Sequence, residues 1–422
     1  MSDQIISAID IGSFKISTVV GLKSEKDEGL RIIGFNSSPS YGVKKGLIVD
    51  IDQVSSAIED SIEKAERMAG HKINRVFVSV GGPHISSLNS HGVVAVSNSQ
   101  GEITEGDINR VVEAARAISL SSTKQIIEVS PREYVVDGQP GIKNPIGMTG
   151  VRLEVDTHII TASQTNLKNI DRCLSLLGLQ NAGFVFCGLA SAEAVLTDTE
   201  KELGVVLADI GGGKTDICIY VEGALSYSIS IPIGARHITN DIAIGLRVSL
   251  DSAEKIKIYL SENLRSKNKA IKRDEPVNFA VLNLPENTND VSLKTLIDGI
   301  IVSRLEEIYK LIFEEIEKSG FANAIPSGLV IAGGGAQTIN ILEVGRKVIG
   351  LPIRIGNPQG VTGLVDEVLN PQNATTVGLL LCALKNTAGG QENWRDFGSV
   401  LKDFSVGGYL GKVKDFFKQF IP

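Results

Sequence analysis

Two stretches of this sequence repeat one arrangement of an acid, a bend and a lysine. Asp209-Ile-Gly-Gly-Gly-Lys-Thr-Asp216 lies between the β-branched runs 205–208 and 217–221. Asp10-Ile-Gly-Ser-Phe-Lys15 lies between the similar runs 5–9 and 16–20, and the two stretches agree at the Asp, Ile, Gly and Lys positions. Each reads as the tip of a β-hairpin. Glycines without Cβ atoms let an anion approach the backbone, and successive N–H groups then form an anion-binding concavity. Gly12, Ser13, Phe14 and Lys15, with Gly211, Gly212, Gly213, Lys214 and Thr215, are therefore candidate phosphate-binding residues. Asp10 and Asp209, at the strand ends, are hard oxygen ligands suited to a magnesium ion that keeps most of its water. A strand–turn–strand is neither a Walker loop nor a dinucleotide-binding turn, both of which lead into a helix. One such stretch is equally well an ordinary tight hairpin. Two copies point to two similar α/β halves closing on one nucleotide.

A third glycine cluster follows the apolar run 329–332: Gly333, Gly334 and Gly335, then a helical pattern through Ile339, Leu342 and Val344. Bare backbone at that place suits a flat base and ribose. Between the second and third clusters, Asp251-Ser-Ala-Glu254-Lys-Ile-Lys257 opens an amphipathic helix. Asp251 and Glu254 have the spacing of a helix-capping box. Glu254 and Lys257, one turn apart on one face, could instead hold ribose hydroxyls.

These residues need a scaffold, and 422 residues with 42% hydrophobic and 22% charged content suffice for two or more soluble domains. A net charge of −7 argues against non-specific nucleic-acid binding. Four scattered cysteines and five histidines show no metal-ligand or disulfide spacing. No signal sequence and no membrane-spanning run is present. The expected elements are a three-stranded meander ending at 30–36, a helix over 52–70 with Val54, Ile58, Ile62, Ala65 and Met68 on one side, and a strand at 75–80. An inserted α+β module follows over 84–161, with strand-like runs at 93–96, 126–129, 133–136 and 152–155 and a helix from 105 capped by Thr104 and Asp107. Strand 159–162, helix 166–177 and strand 183–186 resume the first half. The small-residue helix 188–196 and its counterpart 375–384 are expected to approach closely. A long helix over 293–318 carries pairs such as Glu306–Lys310. The basic run Arg265, Lys267, Lys269, Lys272 and Arg273 reads as a solvated face or a dock for an acidic peptide.

Beyond 384 the character changes to a Gly- and Ser-containing linker over 386–407. In the last fifteen residues, Leu410, Val413, Phe416, Phe417, Phe420 and Ile421 share one face of a helix, with lysines on the other. That pattern after a linker matches an interfacial membrane anchor.

Phosphate hairpin, second hairpin, Glu-x-x-Lys helix and adenosine-side glycines, in that order over roughly 5–384, resemble the actin-type ATPase superfamily. Within it the chain resembles the FtsA family of bacterial cell-division proteins, and the terminal helix supports that closer match. The resemblance implies an actin-like (ribonuclease-H-like) two-lobed α/β ATPase fold with an inserted α+β subdomain and a C-terminal amphipathic helix. The implied layout is a first lobe over 1–83 and 162–190, the insert over 84–161, a second lobe over 191–235 and 305–385, and a subdomain over 236–304. It also implies ATP with Mg2+ as cofactors, Glu254, Lys257 and the third glycine cluster at the adenosine, and a polymerising adaptor that anchors FtsZ filaments to the membrane. FtsZ would bind by its C-terminal peptide near Arg304, other division proteins through the insert, and filaments would form by self-association at the division site. Superfamily members with vigorous hydrolysis place a Glu or Gln near Gly188-Leu189-Ala190, whereas the only acid here is Glu193, so at most weak ATPase activity is implied. The alternatives are a PilM-like pilus adaptor or a small-molecule kinase of the same superfamily.

Overall fold

The computed structural model describes residues 4–24, 29–265, 279–286, 292–364 and 367–388. The terminal anchor pattern and nearly all of the 386–407 linker lie outside the described residues, as does the basic run beyond Arg265. The chain divides into Met1–Leu381 and Cys382–Pro422. Only the end of one helix is described in the second part.

The first lobe opens with strands β1 (Gln4–Ile11), β2 (Lys15–Lys23) and β3 (Leu30–Pro39), the expected antiparallel meander. A two-residue ladder, β4 (Val43–Lys44) with β5 (Leu47–Ile48), leads into helix α1 (Ile51–Ala69). The Asp50 side chain accepts from the Gln53 N–H at the N-terminus of α1, and Gly70 closes its C-terminus in the left-handed region at φ 68°. Val54, Ile58, Ile62 and Ala65 are buried against the sheet, whereas Met68, expected beside them, is exposed at the last turn. Strand β6 (Arg75–Val80) then lies parallel to β1.

The inserted module comprises β7 (Ser86–Ala95), α2 (Glu105–Arg116), β8 (Lys124–Val136), β9 (Gln139–Ile142) and β10 (Arg152–Ser163), in the sheet order β7-β10-β8-β9. Thr104 and Asp107 form the expected capping box of α2. Two expectations change here. The runs 126–129 and 133–136 are one strand, and so are 152–155 and 159–162. Irregularities in register at Asp156/Thr157 and Ile160/Thr161 keep β10 paired along its whole length. Residues 159–162 therefore belong to the sheet of the insert rather than to that of the lobe.

The first lobe resumes with α3 (Gln164–Leu176) and β11 (Gln180–Phe186), completing the order β11-β6-β1-β2-β3. Helices α4 (Cys187–Val195) and α5 (Asp198–Leu203) lead to the second lobe. There β12 (Val205–Ile210), β13 (Thr215–Val221) and β14 (Ala224–Ile231) repeat the meander. Helices α6 (Arg236–Leu246), α7 (Leu250–Arg265) and α8 (Ser303–Ser319) follow, the last entered through a π-helical segment at Thr295–Val302. Glu306 of α8 pairs with Lys347 at 2.9 Å rather than with Lys310. Strand β15 (Leu329–Ala332), helix α9 (Ile341–Ile349) and strand β16 (Ile353–Ile355) give the order β14-β13-β12-β15-β16, the topology of the first lobe again. Strand β17 (Val361–Gly363) returns to pair with β3, and α10 (Ala374–Ala388) runs four residues past the expected end at 384. All six residues of β12 are buried, as befits a strand covered on both faces, which is why it reads as an unbroken apolar run apart from Asp209. Helices α4 and α10 cross as their small residues suggest: a Cβ on Gly378 would overlap the carbonyl oxygen of Ala190.

Candidate functional site

The repeated stretches form equivalent hairpin ends. The Gly12 N–H donates to the Lys15 carbonyl at 3.1 Å, and the Gly211 N–H to the Lys214 carbonyl at 2.9 Å. The tips face each other across one cavity of about 490 Å³, with Gly212 against the Cβ of Phe14. Gly12, Ser13, Phe14 and Lys15 line it from the first lobe; Gly211, Gly212, Gly213 and Lys214 line it from the second. Thr215 does not. Its hydroxyl is buried and donates to the Ile233 carbonyl at 2.8 Å, so it supports the hairpin from behind.

Asp10 and Asp209 both line the cavity from the ends of β1 and β12. Ser79 donates to Asp10 Oδ1 at 2.7 Å. Ser191 of α4 and Thr375 of α10 both donate to Asp209 Oδ2, the latter at 2.8 Å. Burial raises both carboxyls above their ordinary range. The neighbouring Asp216 charge adds to this at Asp209, and the Asp209 charge adds to it at Asp10. Lys15 donates to Asn373 Oδ1, and burial lowers its ammonium to about 8 despite Asp10 and Asp209. Lys214 is bound to Asp216. Burial opposes its charge, but the Asp216 carboxylate holds it protonated well above the usual lysine range.

The other wall holds the remaining candidates. Gly333, Gly334 and Gly335 line it after β15. Gly333 has φ 80°, and a Cβ there would overlap Asp209 Oδ1, so this bend needs glycine. Glu254 and Lys257 also line the cavity, which bears on the two readings of that helix. The N-terminus of α7 is capped by Ser249, whose hydroxyl accepts from the Ser252 N–H at 3.2 Å, and Glu286 accepts from the Ser249 N–H at 2.8 Å. Asp251 and Glu254 form no capping box. Glu254 instead accepts from Thr239 at 2.5 Å and from Lys257 at 2.8 Å, one turn away on the cavity side.

Arg304 stands apart from this cavity. Its guanidinium forks onto both oxygens of Asp241, at 2.5 and 2.8 Å, and also pairs with Glu307. A partner acid would have to compete with that fork.

Several cavity residues carried no local signal. Arg236 stands at the start of α6, which is tied to the second hairpin by the Ala235 and Arg236 N–H groups donating to Gly211 and Gly212 carbonyls at 2.9 and 2.8 Å. Ile258, Ser261, Glu262, Gln337, Thr338 and Gln372 complete the wall. Asp216 is the exception, because an acid at the far side of the hairpin was visible in the sequence. At the start of α4 it is Cys187 that lines the cavity, its thiol pushed up by burial. A side chain on Gly188 would strike the Phe186 ring and the Cys218 sulfur, so that position has no room for a water-orienting acid. Glu193 pairs with Lys201 at 3.4 Å and does not line the cavity.

Two lobes of one topology, each offering an acid-tipped hairpin to a shared cleft, define an actin-like ATPase fold. Solved structures agree. The chain superposes on a PilM–PilN type IV pilus biogenesis complex with TM-score 0.60 at 15% identity, covering 89% of this chain and 97% of the other. On MreB5 of Spiroplasma citri bound to ADP the values are 0.55, 13%, 92% and 99%. The sequence goes further than the fold. Residues 82–161 match the family model of the SHS2 domain inserted in FtsA, and residues 206–378 match that of the cell division protein FtsA. The FtsA of Pseudomonas aeruginosa is 37% identical over 396 residues, 92% of this chain and 91% of that protein. The chain belongs to the FtsA family of cell-division proteins.

Proposed function

We infer that the chain is an ATP-binding, polymerising adaptor that ties FtsZ filaments to the cytoplasmic face of the membrane at the division site. The observation that carries the nucleotide half is the convergence of two matched hairpins, with Asp10 and Asp209, on one cavity between the lobes. The phosphates lie between the hairpin tips, and the adenosine lies against Gly333–Gly335 with its ribose at Glu254 and Lys257. Two buried carboxylates that line the cavity fit a hydrated Mg2+ that enters with the phosphates. Among the described residues no group of three acids, histidines or cysteines could cage a metal alone. With Cys187 and Gly188 where a water-orienting acid would stand, nucleotide acts mainly as a structural ligand that stabilises the closed lobes by mass action.

The adaptor half rests on family membership and on the terminal sequence. Among the described residues no helix is long and apolar enough to cross a membrane. The sequence spacing of Phe416, Phe417 and Phe420, outside the described residues, is that of an interfacial anchor. Burying one such ring fully is worth roughly 1.5–3 kcal/mol, and partial burial less the ordering cost leaves on the order of 5 kcal/mol per tail, a dissociation constant of roughly hundreds of micromolar. One tail holds poorly, but tails arrayed on a filament hold well through effective concentration. The segment 236–304 is the site for the FtsZ C-terminal peptide, with Arg304 as its candidate contact, and the insert serves other division proteins.

Co-sedimentation with anionic liposomes tests this, with and without ATP and FtsZ. The wild-type chain is expected to pellet and to carry FtsZ with it. Phe417→Glu is expected to stay in solution at an unchanged melting temperature. Wild-type binding by Phe417→Glu would end the anchor reading, and pelleting without FtsZ would end the adaptor reading.

A further inference from the structure

Lys214 does more than edge the second hairpin. Its ammonium is bound to Asp216 Oδ2, and its side chain crosses to the first lobe, where it lies on bare backbone. A Cβ built on Gly81, at the end of β6, would fall on Lys214 Nζ and stand 2.8 Å from its Cε. One built on Gly46, which turns at φ 78° between β4 and β5, would overlap the Gly81 carbonyl oxygen and stand 2.9 Å from Lys214 Cδ. The two glycines make a slot in one lobe for a lysine of the other. Gly81 has no left-handed φ, so its missing Cβ serves for room, first for the lysine and then for the Cys187 sulfur at 3.0 Å.

The slot sits at the root of the inserted module. The Gly82 N–H, next along the chain, donates to Ser230 Oγ at 3.0 Å, and Ser230 is the partner of Asp216 in the β13–β14 ladder. The Ile85 N–H donates to the Gly82 carbonyl at 3.0 Å. Polar groups here are held in reserve: Asp216 Oδ1 and both ring nitrogens of His84 are buried without partners. Lys214 and Asp216 also line the phosphate end of the cavity.

We propose that Lys214 is a positioning residue, a bolt between the lobes that holds the root of the inserted module until a nucleoside triphosphate draws it out. This rests on the nucleotide reading of the cavity and adds a role for one lysine. Phosphate oxygens compete with Asp216 for the ammonium through charge-assisted bonds. Removing the ammonium from Asp216 leaves a carboxylate unpaired, which is costly in a buried place. A ligand with a third phosphate beside the triple-glycine loop compensates for that loss, and one with two does so less. The triphosphate state therefore frees the Gly81–Gly82 peptide, and the diphosphate state leaves it bolted. A ligand shifts such an equilibrium only by its differential affinity, which here is the difference made by the terminal phosphate.

The test uses the full chain as wild type, Gly81→Ala, Lys214→Met and the double variant. Gly81→Ala is the sharpest of these, because the atoms in its way are the movable end of Lys214 and the Cys187 sulfur at 3.0 Å. Amide hydrogen exchange is followed over residues 82–90 without nucleotide, and at saturation with MgADP or a non-hydrolysable MgATP analogue. In wild type the ATP analogue is expected to speed exchange at Gly82 and Ile85 by at least about fivefold over ADP, the lower end of ordinary coupling. Either single variant is expected to exchange fast in every state, with an ATP-to-ADP ratio within about twofold of unity. The double variant is expected to match the singles, because both remove one interaction. Retention of the fivefold ratio in Gly81→Ala or Lys214→Met overturns the proposal, as does a wild type that binds both nucleotides and shows no difference. A wild type that binds neither nucleotide removes the nucleotide reading itself, and the bolt with it.

Discussion

His158 predicts how the inserted module responds to acid. It sits on β10 where the insert meets β14, with Nδ1 2.7 Å from Asn89 Oδ1 and Nε2 3.1 Å from Ser228 Oγ. The neutral ring satisfies both contacts by donating from Nδ1 to Asn89 and accepting at Nε2 from Ser228. Burial, with the Arg132 charge nearby, lowers its imidazolium from an ordinary 6.5 to about 4. The sign follows from where the proton goes. Between pH 6.5 and 4 the unfolded ring binds a proton that the folded one refuses, so stability is complete above 6.5 and falls as pH drops through this window. At pH 5.0 the unfolded ring is about 1.5 units below its pKa, worth roughly 2 kcal/mol at 1.36 kcal/mol per unit. His84, lowered to about 4 by burial and Lys214, acts in the same direction, so a variant must isolate the share of His158. His158→Asn is expected to cost about 1 kcal/mol at pH 7.5 for an altered hydrogen bond. It is also expected to lose roughly 2 kcal/mol less than wild type on going to pH 5.0. A chain of this size need not unfold in one step, so the readout is local: protection of β10 amides against exchange, corrected for intrinsic rates. Parallel pH profiles for the two proteins would refute the reasoning.

Three further outcomes follow from the site and from the crossing of α4 and α10. Asp209→Ala should lose most of the magnesium-dependent part of its ATP affinity by calorimetry while the metal-free part changes little; full magnesium dependence in the variant would remove Asp209 from the metal. ATP affinity should fall as pH rises through about 8, where Lys15 gives up its proton, and binding near that pH should take up protons from the buffer. Lys15→Arg, which stays charged, should flatten the profile, and a flat wild-type profile would reject the assignment. Gly378→Ala should destabilise the α4–α10 crossing by about 3 kcal/mol, the upper end of ordinary overpacking, because its Cβ meets the Ala190 backbone; an unchanged melting temperature would show that α4 and α10 part easily.

What the chain determined by itself was local and repeated. The acid–glycine–lysine hairpins, the third glycine cluster and the meander strands follow from backbone rules that act over a few residues, so Asp10, Asp209 and the glycine loops were legible before any fold was known. The helix at 51–69 and the cap at Thr104 were legible for the same reason. Strand continuity in the insert was not, because register irregularities let β8 and β10 run on through residues that break the local pattern. The choice between the two uses of Glu254 was likewise tertiary: Ser249 and Glu286, 37 residues apart, cap α7 and leave Glu254 to the cavity. Cys187 and Thr375 join the site because α4 and α10 cross at Asp209, and Asn373, just before α10, because the fold brings it to Lys15. Lys214 shows the limit most clearly. Sequence alone marked it as a phosphate ligand, but packing decided where its ammonium rests, since Gly46 and Gly81 leave a slot that only a folded pair of lobes can form.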